Sequence, residues 1–338
     1  MKAGVIINIS AGRFEILREK ISKLEHVFDE IITGPGKFGE NFLRKAEVEN
    51  ISSSNFKEAI KELTLKLSEK SDVIVSVGGD GTANMIAEVI INEGIDIPIM
   101  GIGGGTANVG PLIRFSLDSL EKPSRIETVN CLKVWKGDKH VGYAFVDVVF
   151  GDTFLGTLEN KVVNLSAENF LKDGKKVPKI PCDDIAECLE IFRGEKKIQI
   201  HNIGRIAQVV ASPLNFSKFY IGKAITGILC WAPFFKAIGA LIVSSRVVVN
   251  SQLTQEDMKS PVVLEQILFN IDETIKINGL RKGVYLILDG NPICECDAPV
   301  ILRGLKECVK VFTGSQKSCY PIGEGVICEH IRESPKDS

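Results

Sequence analysis

Several features that would assign a function directly are missing from this chain of 338 residues. Its net charge is only −2, so it has no basic excess of the kind that binds nucleic acid. Its first residues contain no apolar core and cleavage site of a secretory signal, so we expect a cytoplasmic protein with reduced cysteines in its core. Charged residues and Pro233 interrupt the most apolar region, residues 219–249, so we expect no integral membrane segment there.

The chain also lacks the residue groupings of several common active sites. Its nine cysteines are scattered, and the one close pair, Cys294 and Cys296, has neither a second pair nor a nearby histidine. That makes a poor zinc site, so we expect no metal held by protein ligands alone. No Ser-His-Asp order or nucleophile elbow stands out either. What remains is a chain of ordinary globular composition, with room for two domains.

The first third of the chain alternates strand and helix patterns. Short apolar runs predict strands at residues 3–8, 27–32, 73–77 and 98–102, and apolar periodicity predicts helices at 13–26, 55–70 and after Thr82. This alternation predicts an α/β domain with a Rossmann-like parallel sheet. Ligands of such sheets gather at the carboxyl ends of strands, where we expect the loops after Asn8, Val77 and Ile102 to converge.

From about residue 126 the pattern becomes β-rich. Residues 164–181 are interpreted as a surface loop or short helix, 183–192 as a helix, and 332–338 as disordered. Strands are predicted at residues 129–135, 141–150, 197–200, 205–211, 240–249, 267–271, 274–277, 284–288 and 309–312. We therefore predict an α/β nucleotide-binding domain at 1–125, a β-rich substrate domain at 126–315, and a tail at 316–338 that could pack back on the first domain.

The most informative motif follows the predicted strand at residues 73–77. It consists of three glycines around one carboxylate: Gly78, Gly79, Asp80, Gly81 and Thr82. Glycines at a strand-to-helix turn let backbone N–H groups approach an anion, and the helix start adds partial positive charge. A carboxylate beside phosphate is tolerable if a metal ion screens it or if it accepts a proton from an attacking hydroxyl. The motif thus favours phosphoryl transfer, with a plain turn as the alternative.

Two further loops belong to the same predicted edge. A second glycine cluster follows the strand at 98–102, and the loop after the first strand offers an amide, a glycine and a cation. Tight turns and a capped helix start are the structural alternatives. With Gly78, Gly79, Gly81 and Thr82 of the first motif, the candidate nucleotide-binding residues are Gly103, Gly104, Gly105, Thr106, Asn108, Asn8, Gly12 and Arg13.

Two carboxylates in the β-rich part are secondary catalytic candidates. Asp147 lies inside an apolar strand, where a lone charge is costly unless it is used or paired. Asp289 ends another apolar strand as part of Asp289-Gly290-Asn291, for which a hairpin turn is the structural alternative.

These motifs resemble the superfamily that contains the NAD kinases, the diacylglycerol and sphingoid-base lipid kinases and, more distantly, the phosphofructokinases. Residues 78–82 look like the signature sequence of this superfamily, and residues 5–12 resemble its first strand and loop. The sequence Gly-Thr-Ala-Asn at 105–108 is closer to that of the lipid kinases. Asp147 lies in a strand similar to one of the NAD kinases, and Asp289 resembles the late Asp-Gly of both branches.

The resemblance implies a kinase dependent on ATP and Mg²⁺, with a β-sandwich-like second domain and a homo-oligomeric assembly. Its phosphoryl acceptor is expected to be the 2′-hydroxyl of NAD, giving NADP, with Asp80 as proton acceptor or as the residue that fixes the metal-phosphate geometry. A lipid kinase is the second hypothesis. A nucleotide-binding regulator without activity is the third, because Ile9, Val146 and Asn291 depart from the family pattern. Whether ATP or polyphosphate is the donor stays open.

Overall fold

The computed structural model describes residues 1–12, 14–104, 108, 110–159, 161–201, 203–215, 237–314, 320–322 and 325–327. Within these residues the chain forms an α/β part followed by a β-rich part, as the sequence predicted.

The α/β part is built on a parallel sheet. Strands β1, β4 and β5 are short apolar runs buried on both faces, as is usual when helices cover both sides of a parallel sheet. Its spatial order is β5-β4-β1-β2-β3, with β6 beside β5. The bounds are β1 Lys2–Ile7, β2 Glu30–Thr33, β3 Glu47–Val48, β4 Val73–Gly78, β5 Ile99–Gly103 and β6 Ile113–Phe115.

Helices cover the two faces of this sheet. Alternate residues of β1 point to opposite sides: Ile6 packs with α3 and α4, whereas Val5 and Ile7 pack with the first helices. Helix α3 follows its N-cap Asn55, whose side chain accepts hydrogen bonds from two backbone N–H groups. The bounds are α1 Phe14–Arg18, α2 Leu24–Val27, α3 Phe56–Ser68 and α4 Asp80–Glu93.

The β-rich part contains two sheets packed face to face. Strands β16-β15-β14-β9-β18-β19 form an antiparallel sheet, and its apolar face packs against β7, β17 and β20. The bounds of the strands are β7 Arg125–Lys136, β8 Lys139–Ala144, β9 Val148–Gly151, β10 Thr153–Leu158, β11 Lys161–Ser166, β12 Ala186–Arg193, β13 Lys196–Ile198, β14 Gln208–Pro213, β15 Gly239–Ser244, β16 Leu264–Phe269, β17 Thr274–Leu280, β18 Tyr285–Leu288, β19 Asn291–Glu295, β20 Val300–Thr313, β21 Tyr320–Ile322 and β22 Gly325–Ile327. Two short helices accompany them, α5 Ala167–Asp173 and α6 Gln255–Lys259.

Strand β20 joins the two parts. Its first residues pair with β17 and its last residues pair in parallel with β5, while β7 runs beside it along most of its 14 residues. One sheet of 12 strands therefore extends from the α/β part into the β-rich part. The predicted strand at residues 309–312 is only the last third of this element. The domain boundary at residue 125 stays a prediction.

Three local predictions were wrong. Most of the helix predicted at 183–192 is instead strand β12, because pairing with β13 and β17 on either side outweighs local helix propensity. The predicted helix at 13–26 is interrupted after α1, where the N–H of Lys20 bonds to the carbonyl of Leu17 and tightens the turn. The predicted strand at 141–150 is two strands, β8 in the large sheet and β9 in the other, with the chain crossing between them at residues 145–147.

The described cysteines are all free, as expected, but they do not all lie in the core. Cys131 and Cys296 are buried, whereas Cys182 and Cys188 are exposed. The sulfur atoms of Cys131 and Cys308, on paired strands β7 and β20, are 2.9 Å apart. No helix among the described ranges is long and apolar enough to cross a membrane.

The cap of α3 gives a direct stability prediction. Replacing Asn55 by Ala leaves the N–H groups of Lys57 and Glu58 without their side-chain acceptor. We expect Asn55→Ala to lower the free energy of unfolding by about 1 kcal/mol, measured by urea denaturation. Ser54→Ala at the exposed neighbouring position is the control, and an equal loss in both variants would contradict the capping role.

Candidate active site

The candidate site lies where three neighbouring strands end. Strands β1, β4 and β5 are adjacent and parallel, so the loops that follow them lie at the same edge of the sheet. The N–H of Asn8 donates to the carbonyl of Val77 at 2.9 Å, and that of Gly104 to the carbonyl of Gly78 at 2.7 Å. The structure thus brings together the three loops singled out in the sequence.

The glycine-rich turn presents unpartnered backbone donors at the start of α4. Gly79 is the N-cap in extended conformation, and no side chain caps the helix. Within the described part of the chain, the N–H groups of Gly79 and Gly81 have no hydrogen-bond acceptor. Such groups at a helix start bind anions, because the helix dipole adds to their own polarity.

Two residues predicted to bind the nucleotide, Asn8 and Thr82, are hydrogen-bonded to each other. The Asn8 amide donates to the Thr82 hydroxyl at 2.8 Å, and Thr82 is buried. A Cβ on Gly78 would lie 2.9 Å from that hydroxyl oxygen, which explains why glycine occupies the position. Asn8 and Thr82 therefore tie the first loop to α4, and contact with a nucleotide stays a prediction for both.

The other predicted binding residues are distributed along the same edge. Gly12 lies in the exposed loop after β1, and Gly103 ends β5. Asn108 has a left-handed backbone with φ of 51°, and its amide lies against Gly103. Arg13, Gly105 and Thr106 lie outside the described residues.

Asp80 is fastened to the loop that follows β5. Its Oδ1 accepts a hydrogen bond from the N–H of Gly110 at 2.9 Å. A Cβ on Gly110 would lie 2.5 Å from this oxygen and 2.7 Å from a methyl carbon of Val146. Position 110 therefore needs glycine for the loop to approach the carboxylate this closely.

Asp289 is the most heavily hydrogen-bonded carboxylate of the site. It occupies the β18–β19 hairpin turn, where Asp289 and Gly290 both have positive φ, as in a type I′ turn. Its carboxylate accepts hydrogen bonds from three consecutive backbone N–H groups, those of Phe145, Val146 and Asp147, at 2.8 to 3.1 Å. The crossing between β8 and β9 supplies these donors, so the break in the predicted strand at 141–150 forms part of the site.

Asp147 presents a different kind of carboxylate. Its backbone exchanges hydrogen bonds with Asp289, but its side chain forms none with the residues that the structure describes. Burial, together with the carboxylates of Asp289 and Asp80, raises the pKa of Asp147 to about 8. Burial also raises the pKa of Asp289, to about 6, against the opposing effect of its backbone donors. The three predicted catalytic residues are therefore close enough to interact electrostatically.

Sequence reasoning missed two residues of this cluster, Asn84 and Gly110. Asn84 is buried on α4, one turn after Asp80, and its amide donates to Asp289 Oδ2 at 2.5 Å and to the carbonyl of Tyr143 at 3.0 Å. A polar residue among Ala83, Ile86 and Ala87 on the buried face of the helix was the available signal. Asn291 was noted only as a departure from the family pattern, yet its amide lies against Gly81.

The chain is similar to known proteins, over its first third for a family and over most of its length for one relative. Residues 2–113 match the family described as the diacylglycerol kinase catalytic domain. An uncharacterized protein of Archaeoglobus fulgidus is 29% identical over 319 residues, covering 92% of this chain and 99% of its own.

Solved structures show the same fold at low identity. The crystal structure of a diacylglycerol kinase from Bacillus anthracis superimposes with a TM-score of 0.50 at 12% identity, covering 93% of this chain and 97% of its own. Yeast NADH kinase in complex with NADH superimposes with a TM-score of 0.51 at 13% identity, covering 93% and 84%.

The raised pKa of Asp147 predicts how stability depends on pH. With a pKa of about 8, Asp147 keeps its proton in the folded state up to about pH 8, whereas the unfolded state releases it near the ordinary pKa of 3.8. The penalty for ionising Asp147 therefore grows as pH rises between these values. We expect Asp147→Asn to gain stability relative to wild type, with an advantage larger at about pH 8 than at about pH 5 by at least about 1.4 kcal/mol, the value of one pKa unit.

Urea denaturation at both pH values measures this difference. Asp138→Asn, in the exposed turn between β7 and β8, is the control and should show no such trend. An advantage for Asp147→Asn that is equal at both pH values would contradict the assignment of a proton to Asp147.

Proposed function

We propose that this chain transfers the terminal phosphoryl group of ATP to an alcohol, with NAD as the first acceptor to test, because residues 2–113 match the diacylglycerol kinase catalytic domain and the fold is shared with a yeast NADH kinase. The observation that carries the proposal is the meeting of Asp80, Asp147 and Asp289 beside a glycine-rich helix start. Three distant segments of the chain supply these carboxylates. A simple turn at residues 78–82 would need no such convergence.

The phosphates of the nucleotide would lie at the start of α4. The unpartnered N–H groups of Gly79 and Gly81, together with the dipole of the helix, favour negative charge there. The adjoining loop after β5 begins with Gly103 and Gly104, which add no side chain to the approach. This donor set fits a polyphosphate.

Magnesium fits the site only as a partner of the nucleotide. Among the described residues, no group of three or more His, Cys, Asp or Glu could hold a metal ion. Mg²⁺ in nucleotide sites commonly keeps waters and phosphate oxygens and uses one or two carboxylates. Asp80 would be such a carboxylate, and the ion when bound would neutralise charge on the phosphates.

The three carboxylates differ in what they can do. We assign Asp147 as the residue that accepts the proton of the acceptor hydroxyl, because its oxygens are not committed to described donors and its pKa is raised towards neutrality. Asp80, held by Gly110, fixes the geometry of the phosphates. Asp289 is saturated with donors and organises the other two. Positioning and charge neutralisation would supply most of the rate.

Two observations bear on the acceptor. NAD is favoured by the fold shared with yeast NADH kinase, and by the described part of the apolar region, residues 237–249, which begins as the buried core strand β15. Residues 219–236 lie outside the described ranges. A lipid acceptor is the second candidate, favoured by the match to the diacylglycerol kinase catalytic domain.

A panel of acceptors tests the function. Purified protein is incubated with Mg²⁺ and γ-labelled ATP, or with polyphosphate, and with NAD, NADH, diacylglycerol in mixed micelles or a sphingoid base. We expect label in NADP. Label in the lipid alone would replace NAD by a lipid acceptor. Calorimetric binding of ATP without transfer to any acceptor would favour a nucleotide-binding regulator and overturn the kinase proposal.

Substitution of the aspartates tests their roles. We expect Asp80→Asn and Asp147→Asn each to lower kcat by about 10² or more, the usual worth of an acid-base group or a phosphate-positioning contact. In wild type, kcat should rise with pH as Asp147 loses its proton, and Asp147→Asn alone should abolish this rise. Asp272→Asn, in the exposed turn before β17, is the control. Near-normal turnover of Asp80→Asn would exclude a catalytic role for Asp80.

A further inference from the structure

Asn84 connects the helix that carries Asp80 to the hairpin that carries Asp289. Burying a carboxamide is costly unless its polar atoms are hydrogen-bonded. The Nδ2 of Asn84 meets this requirement with two acceptors, the Tyr143 carbonyl and Asp289 Oδ2. Because both partners only accept, the NH₂ group and not the oxygen of the amide must face them.

The hydrogen bond from Asn84 to the Asp289 carboxylate comes from a different part of the chain than the bonds from its three backbone donors. Phe145, Val146 and Asp147 hold the carboxylate from one backbone segment of the β-rich part. Asn84 is the donor from α4 among the described residues, 205 positions away in the chain. Its hydrogen bond therefore decides how Asp289 lies relative to α4.

The geometry of α4 sets the distance along the helix between Asp80 and Asn84. Asp80 and Asn84 are four residues apart, so they share one face of α4 at a rise of about 6 Å along the helix axis. Asp80 is tied at one end to Gly110, and Asn84 is tied at the other to Asp289. One rigid helical turn thus separates the two attachment points.

We propose that Asn84 is a positioning residue that holds the Asp289 carboxylate one helical turn from Asp80 and so sets the arrangement of acids on which phosphoryl transfer depends. This inference rests on the proposed function. Asn84 does not contact the reacting atoms and acts through Asp289.

The charges around Asp289 determine what the loss of Asn84 should do. Asp80 on α4, Asp147 from the β8–β9 crossing and Cys131 on β7 all interact with Asp289, and the two carboxylates disfavour its ionised form. A neutral amide that donates to the carboxylate favours ionisation. Removing this donor should raise the pH at which Asp289 titrates.

Titration of the backbone amides gives a readout that needs no activity. In ¹⁵N-labelled protein, the N–H signals of Phe145, Val146 and Asp147 report the charge of the carboxylate to which they donate. We expect their pH midpoint to rise by about one unit in Asn84→Ala, the effect of losing one hydrogen bond to a charged group. Asn84→Ser, which retains a shorter donor, should give a smaller rise and carries the comparison if the Ala variant does not fold.

Asn92 provides a matched control on the same helix. It lies two turns beyond Asn84 and also binds Tyr143, accepting from the phenol hydroxyl at 2.9 Å, but it does not contact Asp289. Asn92→Ala should leave the midpoint unchanged. Equal midpoints in Asn84→Ala, Asn92→Ala and wild type would overturn the positioning role, as would equal shifts in both variants.

Kinetics provide the second readout. We expect Asn84→Ala to lower kcat at least about tenfold with little change in KM for ATP, because the nucleotide loops are untouched. Asn84→Asp should be weaker still at neutral pH, yet its activity relative to wild type should rise as pH falls and one shared proton restores the donor. A ratio that is independent of pH would contradict the proposal.

The amide titration and the kinetics together distinguish failure of the proposed function from failure of the positioning role. If wild-type protein phosphorylates no acceptor, the proposed function fails, and the amide titration alone still decides whether Asn84 positions Asp289. If wild type is active but neither readout responds to Asn84, only the positioning role is lost.

Discussion

The arrangement of the candidate site depends on the hydrogen bonds that hold the Asp289 carboxylate. Three consecutive N–H groups at residues 145–147 and the amide of Asn84 converge on it. Each of these donors would otherwise be partly buried without an acceptor, at a cost of roughly 1–3 kcal/mol apiece. The carboxylate therefore stabilises the point at which the chain leaves one sheet and enters the other, and the proposed catalysis would depend on the same side chain.

Helix α4 is the second organising element. Its first residue is Asp80, the unpartnered backbone N–H groups at its start favour an anion, and Asn84 lies on its buried face. Negative side chains are favourable at a helix start, but Asp147 and Asp289 add further negative charge there. The raised pKa of Asp147 expresses this crowding. Binding of a metal-nucleotide complex, with its cation close to these acids, would relieve it.

The α/β part was predictable because its signals are local. The apolar runs at residues 73–77 and 98–102 each involve only a few neighbouring residues, and the structure confirms the parallel pairing that they predict. The β-rich part depends on distant pairing. Residues 183–192 could not be identified as strand β12 without knowledge of β17, nearly a hundred residues later. The same holds at the site, since no local pattern links Asn84 to Asp289 or Gly110 to Asp80.

Strand β20 has a mechanical consequence. Kinases that close two lobes around substrates usually do so by rotation about a few linker residues. Here β20 pairs with β17 at one end and β5 at the other, and β7 lies alongside it across both parts. Rotation of one part against the other would have to twist the paired strands β7 and β20, whose register shifts between Leu305 and Val309. Movement between the two parts would therefore bend this strand pair, in contrast to rotation about a single unpaired linker.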